Sequence, residues 1–166
     1  MEYAAACPSP LGEVRFTADG ERLTGLWLEG WSGRASHFVE TPPPRPLPVF
    51  DEVRRWLDEY FSGKAPNFAP PVRAVGTPFQ REVWELLRRI PYGETVTYGE
   101  IAAQIAQRRG AARMSAQAVG GAVARNPIAL IIPCHRVLGA NGTLTGYAGG
   151  VERKAALLRL EGIPYK

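Results

Sequence analysis

Two proline-rich stretches limit what this chain can fold into. "TPPPRPLP" (Thr41–Pro48) and "APNFAPPVRAVG" (Ala65–Gly76) can be neither regular helix nor central strand, because proline fixes φ and offers no N–H. The first reads as a surface connection and the second as a linker between two domains, residues 1–75 and 76–166. Regular elements must lie between these breaks. "EVRFTADGERLTGLWL" gives two strand-like runs about Asp19-Gly20, a hairpin signal. In "FDEVRRWLDEYFSG", Phe50, Val53, Leu57, Tyr60 and Phe61 recur at helical spacing, with Gly63 as a stop.

The second half is mostly helical. "TPFQ" (Thr77–Gln80) is a capping box with proline at the first helical position, and "TYGE" (Thr97–Glu100) opens another helix in the same way. Ser115 caps a third, "AQAVGGAVAR", which Pro127 closes by disfavouring helical geometry at Asn126. Between the last two runs the basic connection "RRGAAR", and the pair is compatible with a helix-turn-helix. "IALII" (Ile128–Ile132) reads as a buried strand, and "VERKAALLRLEG" as the last helix.

The net charge of +4 is uneven. Residues 1–75 carry 8 Lys+Arg against 10 Asp+Glu, and residues 76–166 carry 12 against 6. A basic half points to a polyanion, or to a solvated surface. No apolar run approaches the roughly 20 residues of a membrane helix, and the start, with Glu2 and no basic region, does not read as a signal peptide. Reduced thiols and a cytoplasmic location are expected. Cys7, His37 and the adjacent Cys134-His135 form no zinc-ligand knuckle, so no metal and no other cofactor is expected. Cys7 and the four tryptophans read as packing residues, and His37 as a loop residue.

Three features carry chemistry. The third helix is nearly all Ala and Gly, and each interior glycine costs about 1 kcal/mol in helix propensity. Close packing in the core would compensate, and so would approach to another backbone. An ordinary helix is about 10–12 Å across, against about 6 Å for the DNA minor groove. In "IIPCHRV", Cys134 is either a small buried hydrophobe or a nucleophile whose pKa is lowered by His135 and Arg136. Val151, Ala155 and Leu158 share a face of the last helix, and Glu161 continues that row. Either it frays into water or it accepts a hydrogen bond from His135, giving an acid–imidazole–thiol relay.

"NPIALIIPCHRVLG", preceded by "AVGGAVARNP" and followed by "GYAGGVERKAALLRLEG", resembles the O6-alkylguanine-DNA alkyltransferase family. The likeness runs from Thr77 to Gly162; the first half matches only in size and order of elements. It implies an α+β chain: a small strand-plus-helix, ribonuclease H-like domain, then a helical domain with a winged helix-turn-helix-like unit. It implies a monomer that binds double-stranded DNA in the minor groove around a flipped base, with no membrane role. Cys134 would accept the alkyl group, with His135 deprotonating it through a water and Glu161 holding the imidazole. Asn126 would be the hinge after the thin helix, and Tyr98 would press on the target phosphate. Tyr147, Ala148 and Gly149 would line the base pocket, with the Val137 backbone reading the base edge. Ala116, Gln117, Ala118, Gly120, Arg113, Arg125 and Arg136 would face DNA. Gln117 stands where the family commonly has an arginine, and the basic loop before it is extended. The chemistry so implied is irreversible transfer from O6-alkylguanine, or O4-alkylthymine, once per molecule. Two other readings use the same residues: a lesion-binding or signalling module without transfer, and a cysteine hydrolase built on Cys134, His135 and Glu161.

Overall fold

The structure, a computed structural model, describes residues 1–32 and 42–166. His37 lies outside the described residues. The chain forms two compact units, Met1–Val75 with Pro127–Ile131, and Gly76–Asn126 with Ile132–Lys166.

The first unit holds an antiparallel sheet in the order β1 (Tyr3–Ser9), β2 (Gly12–Ala18), β3 (Leu23–Leu28). The expected β2–β3 hairpin forms. Asp19 Oδ1 accepts the backbone N–H groups of Glu21 and Arg22, and Gly20 takes φ 115°, a region that suits glycine. Helix α1 (Pro48–Phe61) begins two residues before the apolar run, because Pro48 is tolerated at the first helical position. It buries Phe50, Val53, Leu57 and Tyr60, and Phe50 meets Phe16 of β2 edge-to-face at 5.3 Å.

The free side of β3 is covered by chain that the sequence suggested would be linker and strand. Leu23 exchanges hydrogen bonds with Pro71 and Arg73, both at 2.8 Å, and Leu26 exchanges them with Pro127 and Ala129, both at 3.0 Å. Covered edges do not recruit foreign strands. The Ile128–Ile132 segment is buried as expected, but it is not a strand. It makes one bridge, Leu26–Ile128, and then turns at Leu130 (φ 68°), across which Ile131 N–H bonds Ala129 O at 2.7 Å. A non-glycine residue held at positive φ costs about 1–3 kcal/mol. β-branching indicated burial and could not indicate this bend.

The second unit is built from α2 (Pro78–Arg88), α3 (Tyr98–Arg109), α4 (Ala116–Ala124) and α5 (Val151–Leu160). The Thr77–Gln80 capping box forms in both directions. The expected box at Thr97–Glu100 forms only in half: Thr97 Oγ1 accepts Glu100 N–H, but the Glu100 carboxylate accepts from the Thr97 hydroxyl. Thr97 itself lies in a short strand, β4 (Val96–Thr97), paired in parallel with β5 (Val137–Leu138). This ladder fixes Tyr98, the first residue of α3, near the segment that follows Cys134. Gly110 ends α3 in the left-handed conformation (φ 63°), and Ser115 caps α4 by accepting Ala118 N–H at 3.1 Å.

Helix α4 packs on α2 and α3. Trp84 of α2 is buried and its Nε1–H donates to Ala122 O of α4 at 2.9 Å. The indole both fills the interface and satisfies a carbonyl near the helix end. Trp84→Phe is expected to cost about 1–2 kcal/mol, through the lost hydrogen bond to Ala122 O and lost packing, while Arg125 N–H still serves that carbonyl at 3.2 Å, measured by urea denaturation. Amide exchange should rise first in α4.

Candidate active site

Cys134 opens a short 3-10 turn, Cys134–Arg136. Pro133 before it has φ −81° and ψ 67°, and Cys134 N–H bonds Ile132 O at 2.8 Å, an inverse γ-turn. Cys134 is only 3% exposed, yet its surroundings are polar. The Asn126 and Tyr147 side chains and the Lys154 ammonium all act on the thiol to favour its ionised form. Asn126 Nδ2 also donates to Ile132 O at 2.8 Å, tying together the two ends of the Pro127–Ile131 excursion. Asn126 is therefore also a neighbour of the sulfur.

The thiol's pKa is raised above its ordinary value, because burial outweighs Asn126, Lys154 and Tyr147. The expectation that His135 and Arg136 lower it is corrected. Arg136 rests on Glu161, and His135, neutral and bonded to the same carboxylate, has no charge to offer the sulfur. At rest, Cys134 is a protonated thiol.

Glu161 follows the last turn of α5, where the helix dipole disfavours an acid. It does not fray into water. Its side chain is fully buried; Oε1 accepts Arg136 Nε at 2.8 Å and Gly93 N–H at 2.9 Å, and Oε2 meets His135 Nε2 at 2.6 Å. Burial pushes this carboxyl's pKa up, but His135, Arg136 and the Gly93 N–H overcome it and hold it at about 2. Gly93 reaches the carboxylate from a turn with φ 83°. Burial lowers the pKa of His135, and the attraction of Glu161 does not restore it. The ring is neutral at rest. An ionised carboxylate has no proton to give, so Nε2 carries the ring hydrogen and Nδ1 is the basic nitrogen.

Several candidate residues lie elsewhere than expected. Arg136 does not face DNA: it is buried, bonded to Glu161 and to Ile90 O (2.8 Å), and packed over the Tyr92 ring. Val151 does not share the buried face of α5; it is 45% exposed, while Ala155 and Leu158 do lie on that face, together with Lys154, Leu157 and Glu161. Lys154 was missed altogether. It is fully buried, with Nζ donating to Val137 O (2.7 Å) and Thr145 Oγ1 (3.1 Å). Its spacing from Leu157, Leu158 and Glu161 could have found it. Thr145 in turn bonds the Tyr98 hydroxyl at 3.2 Å. Tyr147 and Ala148 are half-buried and Gly149 is buried, next to Gly150 at the start of α5.

The thin helix shows its small residues outward. Ala116, Gln117, Ala118, Gly121, Ala124 and Arg125 are exposed, while Val119, Ala122 and Val123 are buried. Core packing does not require the glycines. A Cβ at Gly121 would meet nothing, and one at Gly120 would reach the Tyr98 ring at an ordinary 3.8 Å. Thr97, Tyr98, Gly99, Ala116, Gln117, Gly120 and Ala140 line an open cleft of about 530 Å3. Arg113 is exposed on the loop before α4. Among the described residues, no group of three or more His, Cys, Asp or Glu side chains could hold a metal ion.

Comparison with known proteins agrees with this arrangement. Residues 78–163 match the 6-O-methylguanine DNA methyltransferase DNA-binding domain, and residues 3–74 match the ribonuclease-like domain of the same family. A methylated-DNA–protein-cysteine methyltransferase of Haemophilus influenzae is 43% identical, over 98% of this chain and 88% of the relative. One from Mycobacterium tuberculosis is 46% identical, over 97% and 93%. The solved structure of Mycobacterium tuberculosis OGT in complex with DNA superposes with a TM-score of 0.81 at 43% identity, covering 96% of this chain and 92% of that one. The chain belongs to the 6-O-methylguanine DNA methyltransferase family.

The buried charges set an acid response. Glu161 has a folded pKa of about 2 against an ordinary 4.5, so its contribution is complete above 4.5 and lost as pH falls towards 2. His135, depressed on folding, adds a loss as pH falls below 6.5, where the unfolded chain binds the proton first. The stability difference between wild type and Glu161→Gln, by denaturant titration, is expected to shrink by about 3 kcal/mol between pH 5 and 2.

Proposed function

We propose that this chain reverses alkylation damage in DNA by moving the alkyl group of O6-alkylguanine, and of O4-alkylthymine, to the Cys134 sulfur. The observation that carries this reading is the sulfur's position. It lies beside Asn126 and Tyr147, next in sequence to a neutral imidazole that is held by a buried carboxylate. The base is reached by flipping, at a cost of a few kcal/mol.

His135 takes the thiol proton through a water, and Glu161 stabilises the imidazolium that forms. The sulfur electron pair bonds to the alkyl carbon as the carbon–oxygen bond breaks, and the pair from that bond stays on guanine. Tyr98 supplies the proton that guanine needs. Tyr147, Ala148 and Gly149 line the pocket, and the Val137 backbone reads the base edge. The exposed Ala/Gly face of α4 enters the minor groove, with Gln117 filling the gap left by the flipped base and Arg113 and Arg125 on phosphates. The product is a thioether, and a carbon–sulfur bond of that kind is not readily broken. The protein acts as a monomer in the reducing cytoplasm and is spent after one event. Among the described residues, no helix is long and apolar enough to cross a membrane.

Transfer of labelled methyl from O6-methylguanine duplex tests this. Mass spectrometry should find one methyl per chain, on Cys134, and none on Cys134→Ala; turnover beyond one would refute it, and binding without transfer would favour a lesion-recognition role. Gly121→Leu should raise the stability of the free protein by about 1 kcal/mol, since Gly121 touches nothing. The same change should weaken duplex binding by tenfold or more, about 1.4 kcal/mol, in a fluorescence anisotropy titration.

A further inference from the structure

Residues 145–150 carry the pocket lining assigned above, yet their sequence leaves the backbone great freedom. Gly146, Gly149 and Gly150 lie within this stretch, and glycine reaches conformations closed to other residues. A Cβ at the exposed Gly146 would meet nothing, and Gly150, at φ 96°, opens α5 without a side-chain cap. Thr145 is held at the start of the stretch by its bond to the Tyr98 hydroxyl. Inside it, Gly150 N–H bonds Tyr147 O at 2.9 Å. From the far side Arg153 reaches back, and its Nη1 donates to Gly149 O at 3.1 Å in a partly buried contact.

The helix does not explain an arginine here. Arg153 is the third residue of α5, and the dipole disfavours a cation in the first turn. Glu152 beside it has the charge that this end favours. Four residues separate Arg153 from Gly149, so its side chain leans one turn back over the loop. A guanidinium makes a stronger hydrogen bond to a carbonyl than a neutral donor does. The loop it holds is the one that brings Tyr147 to the thiol, so the place of Gly149 bears on the distance from pocket wall to sulfur.

We infer that Arg153 determines how large an alkyl group the protein accepts, by holding Gly149 and with it the wall formed by Tyr147 and Ala148. The inference rests on the proposed transfer to Cys134. Arg153 is a positioning residue: it acts through the loop and not on the reacting atoms. A methyl group adds one carbon to guanine O6 and asks no movement of the wall. A benzyl group adds a ring to that carbon, and the ring must push the wall outward. Moving the wall breaks the Arg153–Gly149 bond, so bulky groups are transferred more slowly than methyl. Without the guanidinium the wall yields, and methyl gains nothing from the extra room.

The test is the single-turnover rate of transfer from duplexes holding O6-methylguanine or O6-benzylguanine, for wild type, Arg153→Met and Arg153→Lys. Both variants keep the aliphatic stem of a half-buried side chain, so the fold should tolerate them. In Arg153→Met the benzyl-to-methyl rate ratio should rise about fivefold or more. Arg153→Lys, which keeps a charged donor for Gly149 O, should stay within about twofold of the wild-type ratio. Amide exchange over residues 146–150 of the free protein should quicken in Arg153→Met and not in Arg153→Lys. An unchanged ratio in Arg153→Met overturns the inference, even where both rates fall together. So does an Arg153→Lys ratio as high as that of Arg153→Met. Those outcomes, with alkyl found on Cys134, touch only the part given to Arg153. No alkyl on wild-type Cys134 from either duplex would instead refute the assigned reaction.

Discussion

One carboxylate organises the reactive part of this molecule. Glu161 gathers a backbone N–H from the turn after α2, a guanidinium and an imidazole from the 3-10 turn, and does so with its side chain fully buried. Burial of such a group is not a source of stability in itself, because desolvation offsets much of the attraction. What it fixes is geometry and protonation. With Arg136 neutralising Oε1, Oε2 can hold His135 without forcing it to charge. The ring is thus oriented by a full negative charge while remaining a base. Arg136→Gln or Glu161→Gln would each leave a buried charge unmatched, so neither half of the arrangement is dispensable.

A protonated thiol at rest has a chemical logic. A cysteine with a depressed pKa would be open to oxidation and to any small electrophile. Cys134 is buried and its pKa is raised, so in the free protein it is kept as a sheltered, protonated thiol. The strained turn at Leu130 and the inverse γ-turn at Pro133 both precede this residue in sequence, and both depart from the straight strand that the residue types suggest. Irregular backbone is common where a side chain must be aimed rather than merely buried.

The fold was legible where local chemistry decides it. The Asp19-Gly20 hairpin, the Thr77 capping box, the Ser115 cap and the α1 periodicity are all short-range effects, and all are found. The Glu161–His135 pair was legible because an acid at the end of α5 needs a partner. Arg136 was misplaced because a basic residue beside a thiol gives no sign that a carboxylate 25 residues away will claim it. Lys154 was missed for a related reason: lysine is ordinarily exposed, and nothing within its own helix reveals the carbonyl and hydroxyl that receive it. Long-range satisfaction of polar groups is what the linear pattern conceals.

The outward face of α4 shows where stability and function part. Helix α4 carries two adjacent glycines at positions where a side chain would be tolerated by everything around it. In the free protein they weaken the helix and return nothing, and the capping by Ser115 and the Trp84 clasp on Ala122 hold it in spite of them. A cost without an internal benefit has to be explained by something outside the protein. The constraint at the glycines is steric rather than electrostatic, because the exposed positions within α4 carry only Gln117 and small residues, with no charge before Arg125 at its end. It therefore fits a partner that comes very near the helix backbone better than one recognised by side-chain contacts.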